Sequence, residues 1–281
     1  MKTISKVFSC ILAFSSLLGS VEGQNRYKIW YDKPASYWEE ALPIGNGRIA
    51  AMVFGDPQLE QIQLNEETVS AGSPYQNYNE EAKAALPEMR RLIFEGKYEE
   101  AQNMAATKIL SQVGNEMPYQ TVGRLNIRYQ DHKKVSNYYR DLDISNAMTV
   151  TRYKVDGVEF TEETFASFTD QLVIRHIKSS KPGAINCELF FNTPMRDPKR
   201  SIYGKKGLRL EGITHGSRYF PGKVHYCADL DVKNKGGEVT MANDTLLSVQ
   251  GASELTLYII DGNKLSVNYK GSIGVDPFKR E

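Results

Sequence analysis

From residue 123 onward, apolar and polar positions alternate in short runs separated by turn residues, the two-residue period of half-buried strands. Leu125, Ile127 and Tyr129 share one face of residues 124–129. Residues 148–155 and 158–168 flank Asp156-Gly157, a dipeptide that supplies the positive φ angles of a type I′ turn, and so predict a hairpin. Residues 171–177, 184–191, 207–210 and 224–232 continue the series. Residues 239–241 and 246–249 flank a second turn at Asn243-Asp244, and residues 255–260 form the last predicted strand. Short strands at this spacing predict a mainly β fold, a large antiparallel β super-sandwich.

Residues 79–110 break that period. Leu86, Met89, Leu92 and Ile93 fall near one face of a helix, as do Ala101, Met104 and Ala105 further on, and Gly96-Lys97 separates the two halves. A helical hairpin inserted between strands is expected here.

The chain opens differently. Lys2 and Lys6 precede a short apolar core at residues 7–18, and Val21 and Gly23 are small enough for the cleavage positions of a signal peptide. Residues 1–23 are therefore expected to be an export signal, with Gln24 starting the mature protein in the periplasm or outside the cell. The apolar stretch is too short for a comfortable membrane span. Residues 24–262 are expected to form the sandwich. Residues 263–281 are polar and Gly-bearing, and read as the start of a linker or a frayed end.

Composition narrows the class. The 281 residues are 41% apolar, 25% charged and 10% aromatic, which excludes a disordered chain, a collagen-like fibre and a multi-span membrane protein. Lys and Arg number 35 against 34 acids, so no charge imbalance points to nucleic acid or a membrane surface. After the signal only Cys187 and Cys227 remain. One disulfide, or two small buried hydrophobes, are both consistent with that count.

Candidate chemistry is sparse. Gly45, Gly47 and Ala50 fit a loose dinucleotide pattern, but Gly55-Asp56-Pro57 arrives too soon for the helix that would hold a pyrophosphate, so Gly-Asn-Gly is read as a hairpin turn and no cofactor is expected. Glu66 and Glu67 are adjacent in a strand and point to opposite faces, so they are not an acid–base pair. His225, Cys227, Asp229 and Asp231 share one strand face, yet one strand rarely closes a metal site alone, and no metal is expected. No nucleophile elbow, zinc-protease helix or phosphate loop occurs.

Two blocks are more specific. One is Lys28-Ile-Trp-Tyr-Asp-Lys-Pro-Ala-Ser-Tyr-Trp-Glu-Glu-Ala-Leu-Pro-Ile-Gly-Asn-Gly-Arg-Ile-Ala-Ala-Met-Val-Phe-Gly55, and the other is Ile62-Gln-Leu-Asn-Glu-Glu-Thr68. With Leu92-Ile-Phe-Glu-Gly-Lys-Tyr-Glu-Glu-Ala101, Tyr119-Gln-Thr-Val-Gly-Arg-Leu125, Tyr139-Arg-Asp-Leu-Asp143 and Ala252-Ser-Glu-Leu-Thr-Leu-Tyr258, they resemble the N-terminal domain of glycoside hydrolase family 95, the α-L-fucosidases. The resemblance implies a β super-sandwich that packs on a catalytic (α/α)6 barrel. It implies inverting hydrolysis of terminal α-L-fucosides, or of a near-identical L-sugar, by carboxyl groups of that barrel. No catalytic residue carries over to this chain. Trp38, Asn46, Arg48, Asn65 and Glu66 are the candidates for the cleft mouth or barrel interface. The implied partners are a fucosylated glycan and the barrel itself. The alternative is a stand-alone carbohydrate-binding or scaffolding module.

Overall fold

A computed structural model describes residues 27–70, 78–111, 118–216, 222–259 and 268–269. The expected signal, residues 1–23, lies outside the described residues, as does nearly all of the expected tail. Strands β1 (Lys28–Tyr31), β2 (Leu42–Gly45), β3 (Ile49–Val53) and β4 (Leu59–Glu66) come first. Helices α1 (Ala82–Phe94) and α2 (Tyr98–Met104) follow, the second continuing into a π turn at Ala105–Ile109. Next come β5 (Gly123–Tyr129), β6 (Val135–Asp143), β7 (Met148–Val155), β8 (Val158–Ser167), β9 (Leu172–Ser179) and β10 (Ile185–Asn192). The chain continues through β11 (Arg196–Tyr203), β12 (Gly207–Ile213), β13 (Val224–Lys235) and β14 (Glu238–Asn243). It ends with β15 (Leu246–Ala252), β16 (Glu254–Ile259) and the two-residue β17 (Asn268–Tyr269).

All pairings between these strands are antiparallel. Sheet A runs β1-β6-β7-β8-β9-β16-β13-β12-β11, with β17 also on β13, and sheet B runs β14-β15-β10-β5-β4-β3-β2. Their inner faces meet in one core that includes Ile62, Leu64, Leu125, Ile127, Leu189, Leu230 and Leu257. In β4 burial alternates strictly, with Glu60, Ile62, Leu64 and Glu66 inward. A one-residue slip would turn that whole set to solvent, so burial fixes the register. The expected β sandwich is the fold observed. The β7–β8 hairpin turns at Asp156 and Gly157, with φ +48° and +81°. The Gly-Asn-Gly segment is likewise a hairpin turn, between β2 and β3: Asn46 Oδ1 accepts N–H bonds from Arg48 and Ile49.

Two strands carried no alternation in the sequence. In β6 the inward positions hold Tyr138 and Arg140 before Leu142, so a tyrosine and an arginine interrupt the apolar period. Strand β11 is an edge, rich in charge and carrying Pro198, a composition that blunts unpaired strand edges. The helical hairpin is present, but its face is less covered than its periodicity implies. Ala85, Leu92 and Ala101 are buried, whereas Ile93, Phe94 and Tyr98 are exposed, because α1, α2 and the π turn pack mainly on one another. No helix among the described residues is long and apolar enough to cross a membrane. Cys187 lies in the core on β10, and Cys227 lies on the outer face of sheet A; both thiols are free.

The core also holds charge. Arg175 on β9 donates to Glu60 Oε2 on β4 at 2.6 Å, to Glu162 Oε2 on β8, and to Thr164 Oγ1 at 2.8 Å. Glu162 Oε1 accepts the hydroxyls of Tyr129 (2.6 Å) and Tyr153 (2.7 Å). Glu60 also accepts the N–H groups of Gly55 and Gln61. Both carboxylates and the guanidinium are essentially inaccessible to solvent. Taking each ion out of water costs several kcal/mol, and the surrounding donors are what offset it. Two acids face one base, and burial lifts the Glu60 carboxyl to about 7, opposed by Arg175 and reinforced by Glu162. His132 packs on Tyr129 with ring centroids 4.3 Å apart. Its Nδ1 lies 2.9 Å from the Pro57 carbonyl, which only accepts, so Nδ1 carries the proton; burial lowers the ring's pKa and keeps it neutral.

Replacing Arg175 by Met strands two buried carboxylates, and denaturant titration at pH 7 is expected to show a loss of about 3–5 kcal/mol. The Glu60 carboxyl is raised in the fold, so its contribution is full below the ordinary value near 4.5 and is lost as pH climbs through about 7. Stability is therefore expected to fall between about pH 4.5 and about 7, by at most about 1.4 kcal/mol per pH unit, and to level off above that. Glu60→Gln should flatten that slope. His132, lowered by burial, works in the opposite direction: its contribution is present above about 6.5 and is lost as pH falls below it, so it offsets part of the Glu60 slope.

Candidate functional site

Asn46, Arg48, Asn65 and Glu66 come together at one end of sheet B. The β2–β3 turn places Asn46 and Arg48 beside the end of β4, where Ile49 pairs with Glu66 and Ala50 with Asn65. Glu66 faces inward and is fully buried, while Glu67 is exposed, as adjacent strand positions require. Glu66 Oε2 accepts the Thr68 N–H (2.8 Å) and hydroxyl (2.6 Å), and Oε1 sits 3.4 Å from Arg48 Nε. The Glu67 N–H donates to the Arg48 carbonyl, and the Tyr119 hydroxyl to the Glu66 carbonyl. Burial, with Glu66 and Glu67 nearby, raises the Tyr119 hydroxyl above its ordinary value.

Asn46 also bridges the layers. Its Nδ2 donates to the Ser167 carbonyl at the end of β8, at 2.9 Å, tying the sheet B hairpin to sheet A. Asn65 lies on the outer face of sheet B, and its Oδ1 is shielded and without a partner among the described residues. Chemically this corner is a brace. One Glu66 oxygen takes both Thr68 donors and the other faces the Arg48 guanidinium, an arrangement that fixes the side chain in place.

Trp38 stands apart from this group. It opens the short helix Trp38–Glu40, half-exposed, beside the far end of β3, where the Ala35 N–H meets the Phe54 carbonyl. The side chain that holds this loop is Arg140, buried beneath Tyr31 with its guanidinium carbon 4.1 Å from the ring centroid. Arg140 donates to the Lys33 and Glu40 carbonyls, both at 2.8 Å. The sequence reading passed over Arg140 and Arg175. The available signal was an arginine on the inward phase of a strand.

The face of β13 that carries His225, Cys227, Asp229 and Asp231 is the outer face of sheet A. Asp229 is held bidentately by Arg209, at 2.7 and 2.8 Å. The Cys227 thiol, pushed up to about 12 by burial and by Asp229, stays protonated. The acid is thus engaged by a cation, and among the described residues no three metal-ligand side chains converge here.

As a brace, the corner loses the acceptor of both Thr68 donors and one ion pair in Glu66→Ala, and Asn46→Ala removes the turn's acceptor and the link to Ser167. Each is expected to lower stability by about 1–3 kcal/mol in urea titration.

A family model described as the glycosyl hydrolase family 65 N-terminal domain matches residues 29–264. "Alpha-L-fucosidase 2" of Arabidopsis thaliana is 37% identical over 255 residues, which cover 83% of this chain and 30% of that protein. "Probable alpha-fucosidase A" of Aspergillus niger is 26% identical over 162 residues, 54% of this chain and 20% of that one. The protein of the same name from Aspergillus oryzae is 26% identical over 174 residues, 58% of this chain and 23% of that one. The chain thus spans less than a third of the length of these relatives. The family match takes in both sheets and the helical hairpin, and the fucosidase relatives agree with the resemblance seen in the sequence. The chain belongs to the glycosyl hydrolase family 65 N-terminal domain family, as an N-terminal domain of the fucosidase-like glycoside hydrolases.

Proposed function

We propose that this chain is the exported, non-catalytic N-terminal sandwich of a family 95 type α-L-fucosidase, and that it packs on a catalytic barrel encoded beyond it. The parent enzyme would hydrolyse terminal α-L-fucosides with inversion, one protonated carboxyl releasing the aglycone and a second group activating water on the opposite face. The observation that carries this reading is the match over residues 29–264 together with a relative named as an α-L-fucosidase. The chemistry of the described carboxylates supports it. Glu60, Glu162 and Glu66 are buried and committed to Arg175, Arg48, tyrosine hydroxyls and backbone donors. On this reading Asn46, Arg48, Asn65 and Glu66 shape the surface that meets the barrel, and Trp38 lines a separate part of it. The basic, apolar and small-residue pattern of residues 1–23 supports export.

The test is to sequence past the codon for Glu281 and express the longer product beside the 281-residue chain. With an α-1,2-linked L-fucoside, the longer protein is expected to release β-L-fucose, seen by proton NMR before mutarotation, and the chain alone to show no turnover. Hydrolysis by the chain alone, or release of the α anomer, would sink the proposal. N-terminal sequencing of exported protein is expected to start at Gln24.

A further inference from the structure

A cleft of about 340 Å³ opens near the ends of β10 and β15, lined by Arg128, Phe190, Asn192, Arg200, Asn243 and Leu246, among others. Its size is near the lower end of small-ligand sites, which run from roughly 300 to 1,000 Å³. Phe190 and Leu246 give it an apolar wall, and the Arg128 guanidinium lies 4.7 Å from the Phe190 ring centroid. Arg200 reaches in from β11 on the other sheet, anchored by its Nε to the Phe191 carbonyl at 3.0 Å.

The polar lining is unbalanced. No carboxylate among the described residues lines it, and its two carboxamide oxygens already accept. Asn243 Oδ1 accepts the N–H and hydroxyl of Thr245, both at 2.9 Å. Asn192 Oδ1 accepts the Thr193 N–H at 3.0 Å and an Arg200 N–H at 3.5 Å. Glu188 takes one N–H of Arg128 at 3.0 Å. What remains is donor capacity: the two carboxamide nitrogens and the other N–H groups of two guanidiniums. No carboxylate among the described residues pairs with half-buried Arg200, and Asp244, at the tip of the same turn, is not part of the lining.

A cleft rich in donors, short of acceptors and carrying one uncompensated guanidinium selects an oxyanion. The apolar wall selects an oxyanion mounted on a ring with an apolar face. The geometry points to a binding site for an anionic sugar, a pyranose bearing a carboxylate or sulfate, with its ring against Phe190 and Leu246 and its charge on Arg200. That the ring is a sugar rests on the carbohydrate-active reading above; the demand for an oxyanion rests on the cleft alone.

The test uses the 281-residue chain and three probes sharing one ring: D-galactose, D-galacturonate and D-galactose 6-sulfate, with inorganic sulfate as a fourth. Titration is expected to show one of the two anionic sugars binding at least about tenfold more tightly than galactose. Which of the two does so identifies the charge. Arg200→Gln is expected to erase the preference. Asn243→Asp keeps the acceptor that shapes the turn but replaces the donor with a negative charge; it should erase the preference with an unchanged thermal midpoint, which guards against a merely misfolded Arg200 variant. Equal or absent binding of all three sugars, or a preference that survives Asn243→Asp, overturns the proposal. Inorganic sulfate binding as tightly as the best sugar overturns the sugar assignment. None of these outcomes bears on fucoside hydrolysis, so this inference and the parent activity fail separately.

Discussion

Among the described residues, Glu60, Arg175 and Glu162 form the one place where the two sheets are joined by charge rather than by apolar packing. Leu and Ile side chains tolerate small sliding between layers; a guanidinium shared by carboxylates on facing sheets does not. The aromatic shell of Tyr129, Tyr153, His132 and Phe160 closes water out, which strengthens each hydrogen bond and raises the cost of any that is missing. The cluster is therefore better understood as fixing how the sheets align than as a source of net stability, since well-packed apolar groups could match it in free energy.

The second constraint is at the edge of the sandwich. Arg140 holds the loop between β1 and β2 by its carbonyls, and Asn46 ties the next turn to the end of β8. The chain crosses from sheet A to sheet B in that short segment. Both crossings are made by side chains reaching for backbone carbonyls, which positions the loop whatever sits at its exposed positions.

Much of the fold was legible in the sequence because half-buried strands must alternate. The Asp156-Gly157 hairpin, the alternating strand β5 and the helical insert all follow from period and turn chemistry. Strands β6 and β11 are not legible, one because Tyr138 and Arg140 interrupt its core-facing row before Leu142, the other because an edge strand wants charge and proline. The specific Gly-Asn-Gly-Arg and Asn-Glu-Glu-Thr blocks did mark residues that meet in space. Their pairing through Arg48 and Glu66 needed the register of β3 on β4, which no local pattern states. The resemblance names Trp38 with them as a candidate for the cleft mouth or barrel interface, and β2 carries it to the other end of the sheet. The cleft at Arg200 was invisible for a similar reason: its lining comes from separate strands of both sheets.

The placement of the two thiols reaches beyond the fold. Cys187 points into the core from sheet B, and Cys227 points away from it on sheet A, so a whole layer of sheet separates them. No bond between these two thiols waits on an oxidant, so the redox state of the compartment does not act on the two sheets through them.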